Sequence, residues 1–324
     1  MKGGARPSML PKSFPALLCV VSVSAFLFVH SLLPGHAGDT KAIAAVMGND
    51  QPRYREAHQA FVNSLAARGY TSANTEIILY FPGPDSHSWS STMHKINASH
   101  PSLIVSYGAS ASQAAMKEAE GTPVVSVDTY AAESPASGAC GVSSRVPMIT
   151  LLKALRDMGP YRRIGVLLNA REIGPQRQLE DIRKCAAHLG MSVIEGNTTS
   201  ATSVDTALAF LLDKADVIIA TESAIVYRQF DRIIARAKSR RIPVVSTMPK
   251  AAERGALASL EINSQEQGHL AAEIATRILE GAQVEHLSLL TPRQIDLVIN
   301  VRAARALGIK IPKSVVGEAT RIIK

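Results

Sequence analysis

From Lys41 onward one unit recurs along the chain: a short β-branched run, a turn, then an amphipathic helix. The runs occupy 42–47, 77–81, 103–106, 123–127, 163–168, 192–195, 217–220, 243–246 and 256–260. Most are uninterrupted rather than alternating, which suits strands covered by helices on both faces. The intervening segments carry apolar residues at three- and four-residue spacing. Ala57, Phe61 and Leu65 share a face, as do Leu179, Ile182 and Ala186, and Leu270, Ile274 and Ile278. Gly69, Gly190 and Gly281 stand where a left-handed C-cap closes a helix. Strands alternating with helices predict parallel sheets with helices on both sides. Nine or ten strands are too many for one open sheet in 324 residues. Two doubly wound α/β lobes are expected, with a break between Gly138 and Pro147 and a cleft between them. An eight-stranded barrel is the rival, because the rhythm alone does not exclude it.

The front of the chain departs from this rhythm. Lys2, Arg6 and Lys12 precede a charge-free stretch, 14–33, and Pro34-Gly35-His36-Ala37 supplies small residues before polar Gly38-Asp39-Thr40. This reads as a secretory signal peptide over 1–37, which predicts a periplasmic protein. An uncleaved membrane anchor is the alternative. Cys19 follows Leu18 inside the apolar run, which argues against a lipid-modified cysteine. The formal charge of +8 shrinks when this segment leaves, since it holds basic residues and no acid. The remaining basic clusters, Arg162-Arg163 and Lys238 to Arg241, fall at helix ends or turns. No nucleic-acid-binding motif accompanies them, so no nucleic-acid partner is expected. Cys140 and Cys185 are expected as free thiols, a disulfide between them being the alternative.

In parallel sheets ligands bind beyond the carboxyl ends of the strands, which selects the loops to read. After the first strand come Asp50, Gln51 and Tyr54. After the third come Tyr107, Gly108, Ala109 and Ser110, and after the fourth Asp128 and Tyr130. The second series offers Asn169, Thr221, Glu222 and Thr247. Tyr107 to Ser112 is a small turn opening a helix over 113–118, and such a helix start favours a ligand carboxylate or phosphate. Simple N-capping by serine is the plainer reading. Tyr54, Tyr107 and Tyr130 at three strand tips suggest an aromatic wall for a planar or cationic ligand; tyrosines that merely border a cleft are the alternative.

Catalytic signatures are thin. No G-x-S-x-G, H-E-x-x-H, C-x-x-C or nucleotide-binding glycine loop occurs. His87 and His94 flank Trp89 in a polar stretch that reads as a solvated loop rather than a metal site. No metal and no cofactor are expected. Asp50, Asp128 and Glu222 fit ligand amines as well as acid–base chemistry, so the sequence offers a cleft without a nucleophile.

Several segments carry a resemblance. They are Phe61-(x)3-Leu65-(x)3-Gly69-Tyr70, Gln113-Ala114-Ala115, Cys140-Gly141-Val142-Ser143, Arg163 to Asn169, Ile242 to Val245, Glu253 to Leu257, Asp296 to Asn300 and Ala306 to Ile309. In their order and spacing the chain resembles the ABC-transporter substrate-binding proteins of the tryptophan/tyrosine-uptake type, from about Lys41 to Pro312. The resemblance implies the type I periplasmic-binding-protein fold with three crossovers between lobes. Lobe 1 would comprise 38–146 plus 263–290, and lobe 2 would comprise 147–262 plus 291–324. It also implies a non-enzymatic, monomeric carrier that captures a small solute, an amino acid or a related molecule, and delivers it to a membrane permease. A binding module that presents its occupied form to a membrane sensor is the alternative, and an enzyme on the same fold is the third.

The departures from the family pattern bear on specificity. Ala109-Ser110 stands for the family's T-P pair, Ala131-Ala132-Glu133 for its D-P-V loop, Leu168-Asn169-Ala170 for its Y-N-P, and Glu222 for an Asp. The resemblance therefore implies the fold and the carrier role, but not an aromatic amino acid as ligand.

Overall fold

The computed structural model describes residues 40–83, 85–130 and 140–324. The expected signal peptide and residues 131–139, with the Ala131-Ala132-Glu133 departure, lie outside the described residues. In the first half, strands β1 (Lys41–Met47), β2 (Thr75–Tyr80), β3 (Leu103–Tyr107), β4 (Val124–Thr129) and β5 (Cys140–Ser143) alternate with helices α1 (Pro52–Ala67), α2 (Ser86–Ala98) and α3 (Ala109–Glu118). Then follow α4 (Met148–Met158), β6 (Arg163–Leu168), α5 (Ile173–His188), β7 (Ser192–Asn197), α6 (Ala201–Lys214), β8 (Val217–Ala220), α7 (Ala224–Arg228), α8 (Phe230–Ser239), β9 (Val244–Ser246) and β10 (Ala258–Ile262). The chain ends with α9 (Ser264–Leu279), β11 (Leu289–Leu290), β12 (Ile295–Asn300), α10 (Val301–Leu307), α11 (Lys313–Glu318) and β13 (Arg321–Ile323).

These strands make two sheets. One has the order β11-β5-β4-β3-β1-β2, the other β13-β12-β10-β9-β8-β6-β7. Neighbours run parallel throughout, except that β12 lies antiparallel to β10. Two open sheets exclude the barrel. The uninterrupted runs are buried on both faces, as the consecutive β3 residues Leu103 to Tyr107 and the β8 residues Val217 to Ala220 show.

The chain leaves the first sheet after β5. It returns through α9, whose Ala271, Ala272 and Ile274 join the core around Phe61, Val105 and Val125, and leaves again after β11. A side chain at Gly268 of α9 would meet the Ala57 carbonyl oxygen at 2.1 Å, so α1 and α9 approach backbone to backbone.

The structure corrects four details of the sequence reading. The 138–147 segment, read as a plain break, contains β5, which pairs with β4. The polar stretch around Trp89, read as a loop, is α2, with Asp85 accepting from the Ser88 N–H at 2.9 Å as its N-cap. Helix α3 starts at Ala109 rather than at 113. One strand pairing is antiparallel, because β12 re-enters the second sheet after the last excursion. Cys140 and Cys185 are both free thiols. Among the described residues no helix is long and apolar enough to cross a membrane.

Candidate ligand-binding cleft

The carboxyl ends of both sheets face one cavity of about 450 Å³. Its first-sheet wall comes from the loops after β1, β3 and β4, and its second-sheet wall from those after β6 and β8. Eight of the twelve residues expected in a site line it: Tyr54, Tyr107, Ala109, Ser110, Asp128, Tyr130, Asn169 and Glu222.

The start of α3 brings unpaired backbone N–H groups to this cavity. Ser112 N–H makes the first helical bond, to Gly108, which leaves the N–H groups of Ala109, Ser110 and Ala111 beyond the reach of the helical ladder. Gly108 has φ +89°, and a Cβ there would lie 2.5 Å from the Tyr54 hydroxyl, so only glycine lets the turn sit against that ring. Ser110 is exposed, whereas Ser112 is buried and accepts from Ser106 at 3.0 Å.

Arg53 dominates the floor, and the sequence reading did not select it. Its side chain is 8% exposed. Nη1 donates to Asp128 Oδ1 at 3.3 Å and to Glu222 Oε2 at 2.5 Å, while Nη2 donates to the Tyr54 hydroxyl at 2.9 Å. The guanidinium on α1 thus ties a carboxylate at the end of β4 to one after β8, across the cleft. Burial opposes its charge, but Asp128, Tyr54 and Glu222 outweigh that and hold its pKa well above the ordinary arginine value. Burial pushes the Asp128 carboxyl up to about 7, with Arg53 opposing and Glu222 adding to the rise. Asp128 also has φ 53°, beside a register shift in the β4–β5 pairing, so an irregular strand end aims this carboxylate at Arg53. Glu222 is steadied further: Thr247 donates to its Oε1 at 3.0 Å, and Gln178 donates to Thr247 at 2.8 Å.

The three tyrosines do line the cavity, but their hydroxyls are committed. Tyr54 accepts from Arg53, Tyr107 bonds His58 Nδ1 at 3.0 Å, and Tyr130 donates to Asp181 at 2.9 Å. Burial raises the pKa of each and keeps the phenols neutral. The same burial lowers that of His58. Trp89 of α2, which sequence reading left in a loop, joins the lining.

The other four candidates sit elsewhere. Asp50 is exposed and paired with Arg55. Gln51 is buried behind Arg53, on a second chamber. The Thr221 hydroxyl donates to the Leu167 carbonyl at 2.8 Å, inside the sheet. Thr247 accepts from Gln178 and donates to Glu222, and it lines a small pocket beside Arg53 rather than this cavity.

Glu172, Arg171 and Arg228 are further charged lining residues that sequence reading did not select, although Arg171 and Glu172 stand in the loop it read after β6. Glu172 accepts from Asn169 Nδ2 at 3.0 Å, Ser223 Oγ at 3.0 Å and Ala224 N–H at 2.9 Å, all neutral donors. Arg171 and Arg228 are exposed. No His, Cys, Asp or Glu cluster among the described residues is arranged to hold a metal.

Two mainly parallel α/β sheets whose strand ends share a cleft define a two-lobed binding protein of the type I periplasmic-binding-protein fold. Residues 42–323 match the family described as ABC transporter substrate binding protein, and the chain belongs to that family. A tyrosine-binding protein from Clostridioides difficile (strain R20291) is 23% identical over 269 residues, covering 80% of this chain and 78% of that protein. A conserved domain protein from Vibrio cholerae superposes with a TM-score of 0.81 at 24% identity, over 88% of this chain and 100% of that one. An ABC domain from Streptococcus pneumonia in complex with L-Trp gives 0.79 at 21% identity, with the same coverage.

Proposed function

We propose that this protein captures a small solute in the 450 Å³ cavity and hands it to an ABC permease on the outer side of a membrane, after export directed by residues 1–37. The observation that carries the reading is the shared wall: loops from both sheets bound one cavity, and Arg53 ties one side to the other. The lobes are 38–146 plus 263–290 and 147–262 plus 291–324, closing over the solute about the crossing segments.

The solute is of amino-acid size and carries a carboxylate. The free N–H groups of α3, with Arg171 and Arg228, favour that group. Asp128 and Glu222 are already engaged by Arg53, which leaves Glu172, bonded only to neutral donors, as the acceptor for a solute ammonium. Relatives named for tyrosine or holding L-Trp support this size class. Ala109-Ser110 and Glu222, where the family differs, argue against carrying over the particular side chain.

A thermal-shift screen with amino acids, purines, short peptides and organic acids tests the reading. A solute at one hundred times its dissociation constant adds about 2.7 kcal/mol of stability, a rise of several degrees. Absence of any shift across the amino and organic acids would contradict it.

A further inference from the structure

Six charged residues line the solute cavity, and they fall into two sets. Arg53, Asp128 and Glu222 are buried and joined to one another. Glu172, Arg171 and Arg228 stand outside that network. Among the described residues Glu172 takes only neutral donors, and the guanidinium groups of Arg171 and Arg228 meet no carboxylate. Both arginines are exposed, so a solute entering the cavity can reach their donors.

The fold sets their placement. The start of α5 lies against the start of α3, since a Cβ at Gly174 would be 3.7 Å from that of Ala109. Arg171 stands three residues before Gly174 and lines the same cavity. Arg228 ends α7, one turn beyond Ala224, whose N–H bonds Glu172 at 2.9 Å; residues four apart share a helix face. Two cations and one anion thus stand on the second-sheet wall, and the N–H groups of α3 on the first. A single solute carboxylate cannot use all these donors. It has about four lone-pair sites, of which the N–H groups of Ala109, Ser110 and Ala111 can fill three. Closing the two arginines over a neutral side chain would strip water from both charges without a counter-charge, which is costly. Aromatic surface is scarce by comparison. Of the four rings on the cavity, Tyr54, Tyr107 and Tyr130 are 5%, 0% and 2% exposed, which leaves half-buried Trp89.

We propose that the solute is an amino acid whose side chain ends in a second anionic group, a carboxylate or a phosphate. Its α-carboxylate accepts from the start of α3, its ammonium donates to Glu172, and Arg171 and Arg228 hold the second anion. The unpaired wall charges, two positive and one negative, then meet their complement, two negative and one positive. This inference rests on the reading of the cavity as an amino-acid site and adds the class of side chain.

Two probe pairs differ at that group: L-glutamate against L-glutamine, and O-phospho-L-serine against L-serine. In calorimetric titration of the unaltered protein, at least one acid is expected to bind about tenfold or more tighter than its neutral partner. That preference is expected to shrink at high salt, because both arginines are exposed. In the double variant Arg171→Met, Arg228→Met it is expected to fall to about twofold or less. The comparison on the unaltered protein stands even if the double variant does not fold. Binding of a neutral amino acid with no preference for the acid in either pair would overturn this inference and leave the amino-acid reading in place. Failure of every amino acid, acidic or neutral, to bind would overturn both. A preference untouched by the double substitution, or loss of acid and neutral partner alike, would take the second anion away from these arginines and overturn the inference too.

Discussion

Arg53 shows what a single residue can decide. It is a long cation almost removed from water, held by two carboxylates 75 and 169 positions away in the chain. Replacing it with Met would leave both carboxylates buried without a counter-charge, an expected cost of about 3–5 kcal/mol in urea unfolding. Asp128 adds a pH dependence with a definite sign. Its folded pKa, about 7, lies above the unfolded value of 3.8, so the folded protein holds this proton more tightly. The resulting stability is fully present below the unfolded value and is lost as pH rises through about 7. Unfolding free energy measured between about pH 8 and pH 4 should therefore rise on acidification through this group, and Asp128→Asn should remove that component. A slope unchanged by the substitution would refute the assignment. Nothing in the local sequence announces Arg53 as the partner of the two carboxylates. Arg53 stands in a run of polar helix-start residues, and only the tertiary fold turns it inward. Asp128 and Glu222 were legible because strand ends in parallel sheets point at ligands. Thr221 shares that position, but its hydroxyl bonds the neighbouring strand.

At the scale of elements, glycines and short strands set the geometry. Gly108 lets α3 begin against Tyr54, and Gly268 lets α9 lie on α1. Gly268→Ala would drive a methyl into the Ala57 carbonyl and is expected to destabilise the fold by about 1–3 kcal/mol or more, read as a lower denaturation midpoint. Asn169→Ala would free one side of Glu172 at the head of α5. The expectation is a loss of solute affinity of about tenfold, with the melting temperature of the solute-free protein little changed. Unaltered affinity would remove the second-sheet wall from the account. The long strands and helices were legible because their apolar periodicity runs over five or more residues. Strands β5, β11 and β13 span four, two and three residues; β8 and β9 are as short but stand in the strand–helix rhythm, which these three do not. They exist because neighbours supply their hydrogen bonds. Helix α2 was missed for a different reason: its apolar face is narrow, with only Met93 and Ile96 buried.

For the whole molecule, the rhythm that opens after Lys41 resolves into two sheets that share a cleft, with the chain passing between them more than once. Ion pairs and hydrogen bonds cross the cleft: Arg53 to Glu222, Tyr130 and Arg145 to Asp181, Arg177 to the Tyr130 carbonyl, and Lys250 to Glu56. The solute is proposed to lie between these walls. Calorimetric titration of the best solute from the thermal screen, into the protein and into Ala109→Phe, locates it. One site per chain is expected in the unaltered protein and no measurable binding in the variant, with both folded to the same extent. Equal binding in the two proteins would place the solute elsewhere and refute the cleft as its site.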